Sequence, residues 1–95
     1  MSADSPQIQQ LKTRYRESFP EKLEIILKAR SELLEDNNLT FAREELHKLA
    51  GSSGMYGYND LASNCRRAME KLDAGDPSSS LDAIDAVVEQ LESQI

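Results

Sequence analysis

The residues with the clearest chemical potential lie on one run, from Arg43 through His47 and Lys48 to Gly51 and Gly54. His47 is the only histidine in the chain. A neutral imidazole is nucleophilic near neutral pH, so one exposed histidine can accept and release a group. At about 100° per residue, Ala42, Leu46, Leu49, Ser53 and Tyr56 cluster on one side of a helix. His47 then projects about 140° away from the centre of that side and is expected to face solvent. Gly51 and Gly54 fall on the same outer side, Arg43 lies one turn before His47, and Ala50 is at the flank. Two glycines inside a helix cost about 1 kcal/mol each relative to alanine. They make sense if something must approach the backbone beside the imidazole.

The elements that hold this run in place are all helical in period. None shows the alternation of a strand. The pattern predicts five helices. The first starts at Ser5-Pro6, a cap and a pre-set first position, and ends near Ser18, with Ile8, Leu11 and Tyr15 on one face. Ser18-Phe19-Pro20-Glu21 has capping-box spacing and opens the second, which reaches about Asp36. Its expected inward stripe is Leu23, Ile26, Leu27, Leu33 and Leu34. Arg30 lies on that stripe, with its stem on the core and its head in water. Asn37-Asn38 reads as a turn. Thr40 is the expected N-cap of the third helix, and Gly57 can end it in a left-handed conformation. Asn59 is the expected cap of the fourth, which turns Leu61, Ala62, Cys65, Met69 and Leu72 inward and stops before Gly75. Asp76-Pro77 opens the fifth, with Leu81, Ile84, Val88, Leu91 and Ile95 inward.

Helices of this length are marginal alone in water, so their apolar stripes must meet. Short connections favour antiparallel neighbours. The expected fold is therefore all-α: an antiparallel up-down four-helix bundle of helices two to five, with an additional N-terminal helix over one end. Residues 1–95 are read as a single domain. With 39% hydrophobic and 29% charged residues, the chain has the composition of a soluble globular protein. Its net charge of −6 argues against nucleic-acid and anionic-membrane partners. The single cysteine, Cys65, can form no internal disulfide. No apolar run has the length of a signal-peptide core or a membrane span, so a cytoplasmic monomer is expected.

The run His47-Lys48-Leu49-Ala50-Gly51-Ser52-Ser53-Gly54-Met55-Tyr56-Gly57-Tyr58 resembles the signature of histidine phosphotransfer (HPt) domains. That signature puts a phosphorylated histidine on a bundle helix, a glycine four residues on, small residues next, and a second glycine ten residues after the histidine. Here these are His47, Gly51 and Gly57, and the likeness extends to Leu61 and Cys65 on the next helix. Two positions depart from it. Many members carry a lysine three residues after the histidine, where this chain has Ala50; Lys48 and Arg43 are the available substitutes. Some members place Gln or Glu on the following helix to hold the second ring nitrogen, where Met69 aligns here.

The resemblance implies a phosphoryl carrier in a two-component phosphorelay rather than an enzyme. His47 would take a phosphoryl group from a receiver-domain aspartate, through its outward Nε2, and pass it to another receiver. Lys48, Arg43, Gly51 and Gly54 would support it. The implied partners are response-regulator receiver domains and a hybrid sensor histidine kinase. Mg2+ is expected on the receiver, with no cofactor on this chain.

Other readings of the same residues are plainer. Most single histidines on a helix are only surface residues. Gly51-Ser52-Ser53-Gly54 lacks the Gly-Lys-Ser/Thr ending of a P-loop and follows no strand. It resembles a cloning linker, but it lies inside helical periodicity. Cys65 sits on an apolar face and reads as core. One His and one Cys cannot close a metal site. Arg66-Arg67 reads as solvated surface, with Arg66 able to rim a docking patch. The alternative of a different class is a helical adaptor that binds a receiver or kinase without carrying phosphate.

Overall fold

The computed structural model describes residues 6–95. Five helices follow in order: α1 (Pro6–Glu17), α2 (Phe19–Asp36), α3 (Leu39–Met55), α4 (Asn59–Ala74) and α5 (Pro77–Ser93). Ser5, expected to cap α1, lies outside the described residues. Helices α2 to α5 form the four-helix bundle, each packed on its two neighbours in the cycle α2, α3, α4, α5. Such a cycle buries one stripe of every helix in a shared core. Phe19, Ile26, Leu46, Leu61, Ile84, Val87 and Leu91 are its largest fully enclosed apolar side chains.

The helix boundaries follow from local chemistry, and three caps differ from the sequence expectation. Ser18 forms no capping box. Its hydroxyl donates back to the Tyr15 carbonyl instead, so α1 runs into α2 through a one-residue break. Asn38, not Thr40, caps α3: its side-chain oxygen accepts the Phe41 N–H at 3.2 Å. Asn37 takes the left-handed conformation that ends α2, at φ 54°, which asparagine tolerates better than most residues. Tyr58 stands at the cap of α4 and Asn59 is the first helical residue. Gly57 and Gly75 adopt positive φ, 83° and 76°, as expected for helix ends. Asp76 caps α5 through the Ser79 N–H and hydroxyl.

The inward stripes are narrower than expected. Leu27, Leu34 and Ile95 are exposed, and so are Ile8 and Leu11 on α1. Small residues supply the close approach instead: Ala29, Ala42, Ala68 and Ala83 are all buried. Met69 and Leu23 are half-buried against the core. Arg30 stays partly exposed, and its head forms an ion pair with Asp85 at 2.6 Å, tying α2 to α5.

Helix α1 is fastened by its last turns. Tyr15 is buried and stacks on Tyr56, with ring centroids 4.7 Å apart, and meets Phe19 and Tyr58 at wider angles. Its hydroxyl shares a hydrogen bond with Ser52 Oγ at 2.6 Å. The Tyr58 hydroxyl donates to the Lys12 carbonyl. This aromatic clasp covers the end of the bundle where α3 turns into α4.

Candidate functional site

Helix α3 presents two unlike faces. Ala42, Leu46, Leu49 and Ser53 are buried, and the Ser53 hydroxyl is satisfied by the Leu49 carbonyl. His47, Lys48 and Gly51 are exposed on the other side. Ala50, expected at the flank, is buried. The imidazole therefore stands on the outside of a helix whose inner face is locked into the core.

The two glycines next to it differ. A methyl group built on Gly51 would meet nothing within 4 Å. Among the described residues, no packing requires glycine there. A methyl on Gly54 would touch Ala62 Cβ and Arg66 Nη2, both at 3.8 Å, an ordinary contact. Gly54 thus looks across to α4, while Gly51 looks into open space.

Both expected supporting cations are already engaged. Arg43 grips Asp73 with two hydrogen bonds, Nε to Oδ1 at 2.8 Å and Nη2 to Oδ2 at 3.1 Å. The guanidinium holds the Asp73 carboxyl below its ordinary range, and the carboxylate raises the pKa of Arg43. Lys48 turns to Glu45, one turn back, with Nζ 3.4 Å from Oε1. It lines a groove between α2 and α3, together with Lys22, Ile25, Ile26, Leu49 and Ser52.

Two contacts fix the register of α3 against α4: Arg43 with Asp73, and Gly54 with Ala62. They bring Met69 about level with His47, and Arg66 about level with Ala50. Cys65, beneath this face, is fully buried, and burial pushes its thiol up to about 12. It is a core residue, as its apolar neighbours in sequence led one to expect.

Some of this was not legible from sequence. The spacing of Glu45 and Lys48 is that of a helical ion pair and could have been read. The Arg43–Asp73 pair spans two helices and left no local signal. The Tyr15–Ser52 clasp, one residue beyond Gly51, depends on the path of α1 and left none either.

A protein-family model described as the Hpt domain matches residues 10–94. No curated protein and no solved structure matches the chain. The matched span runs from α1 to the end of α5, so the likeness embraces the whole bundle and not the glycine run alone. The protein belongs to the Hpt domain family, whose members act as phosphoryl carriers in histidine phosphorelays alongside receiver domains and histidine kinases.

Proposed function

We propose that His47 is the residue that carries the phosphoryl group, accepting it from the aspartate of one receiver domain and giving it to another. One observation supports this above the rest. The chain's only histidine is exposed on the bundle, one turn from a glycine whose missing side chain would meet nothing within 4 Å among the described residues.

His47 supplies the nucleophile of the step. The Nε2 lone pair of a neutral imidazole attacks phosphorus in line. The N–P bond forms as the P–O bond to the receiver aspartate breaks, and that electron pair leaves with the carboxylate. The Nδ1 proton stays on the ring. In the second half, the carboxylate of another receiver attacks phosphorus and the imidazole leaves. Positioning and charge neutralisation dominate such transfers. The receiver would contribute Mg2+, and this chain the nucleophile and an open approach along Gly51.

The test is incubation with phosphorylated receiver domains and a hybrid histidine kinase. The expected product carries an acid-labile, base-stable label that is absent from His47→Gln. An adaptor without phosphate is the second reading, favoured by the engagement of Arg43 with Asp73 and of Lys48 with Glu45. It would show receiver binding with no label on either protein variant.

A further inference from the structure

A phosphoryl group placed on His47 adds negative charge to a domain whose net charge is already −6. The transferring group therefore needs a cation close by, because like charges crowd out the dianion. Arg43 and Lys48 are closest along α3, but each holds a carboxylate of its own. Drawing either away would leave Asp73 or Glu45 without its partner, beside a second anion.

Arg66 is in a different position. Among the described residues it forms no ion pair. Its guanidinium lies across the helix interface, with Nη2 3.8 Å from where a Gly54 side chain would begin. Its backbone is about level with Ala50, one turn of α3 from His47. Arg66 is exposed, and exposed side chains change rotamer in picoseconds to nanoseconds. From that height the side chain can lean toward Gly54, as here, or toward His47. Guanidinium also suits the task, because its planar fork binds phosphate oxygens through two parallel hydrogen bonds.

We infer that Arg66 is the cation of the phosphotransfer face: its guanidinium, unpaired and seated beside Gly54, swings to the phosphoryl oxygens as the group arrives at His47. This rests on the reading of His47 as the carrier, and it assigns the neutralising charge to α4 rather than to Lys48 or Arg43.

The test uses the full chain and phosphoramidate, a small donor whose N–P bond breaks with loss of ammonia as the histidine N–P bond forms. Labelling is followed by 31P NMR, with Arg66→Gln, Arg66→Lys and a neighbouring control, Arg67→Gln. The expected result is labelling about tenfold slower in Arg66→Gln, the loss of one charge-assisted contact. The midpoint of the phosphohistidine 31P pH titration should also rise, since a cation favours the dianion. Arg66→Lys should recover part of both effects, and Arg67→Gln should match the wild type. A merely structural arginine would not move the titration. Wild-type labelling by phosphoramidate, with the rate and titration unchanged in Arg66→Gln, overturns the assignment of Arg66 alone. A wild-type chain that takes no label from phosphoramidate or from any receiver overturns the His47 reading and this one together.

Discussion

At the scale of single residues, glycine and cysteine make opposite statements about this molecule. Gly51 is a helical residue with open space around its Cα, so Gly51→Ala should stabilise the folded chain by about 0.5–1 kcal/mol. The same methyl stands on the proposed approach to His47, so transfer from a receiver should slow while phosphoramidate labelling changes less. Thermal unfolding alongside the two labelling rates checks this; a variant that is more stable and transfers normally would show that the open backbone has no docking role. Cys65 is read through pH. Its thiol titrates ordinarily at 9.0 and in the fold at about 12, so the folded state holds the proton longer. The contribution of this thiol to stability is unchanged below pH 9 and falls between 9 and 12, by up to ~1.4 kcal/mol per pH unit. Tyr15, also raised by burial, adds to the same limb. Urea melts at several alkaline pH values should show a shallower decline in Cys65→Ala than in the wild type, although that variant starts from a lower stability.

Among the elements, Gly57 shows how the end of α3 differs from its middle. At φ 83° it sits where an L side chain is strained, so Gly57→Ala should destabilise by about 1–2 kcal/mol, opposite in sign to Gly51→Ala. Denaturant midpoints of the pair test this directly. The existence of all five helices, the left-handed end at Gly57, the stop of the fourth helix before Gly75 and the outward direction of His47 were legible in the sequence, because each rests on periodicity or on glycine's backbone freedom. The caps were less so. Ser18, Thr40 and Asn59 are all plausible cap types, and only the actual turn between α2 and α3 selects Asn38 over Thr40. The inward stripes were overestimated for the same reason. Leu27, Leu34 and Ile95 have helical spacing, but alanines at Ala29 and Ala83 let the helices meet on a narrower line. Arg43 was the hardest cation of the site to place, because its partner Asp73 belongs to another helix.

For the molecule as a whole, the bundle and α1 are held by different means. The bundle has a continuous core and cross-links between helices, such as Arg30–Asp85 and Asn64–Gln90. Helix α1 contributes one buried side chain, Tyr15, and leaves Ile8 and Leu11 exposed. Segments with few buried contacts open at lower free energy than the global transition. Amide exchange should therefore divide in two, fast along α1 and slow through the buried turns of α2 to α5, and Tyr15→Ala should speed the first class far more than the second. Uniform protection across all five helices would contradict that division. Because Tyr15 is bonded to Ser52, next in the chain to Gly51, the peeling of α1 would also be felt at the proposed phosphotransfer face: a tug on the first helix is a tug on the strip of backbone beside the imidazole.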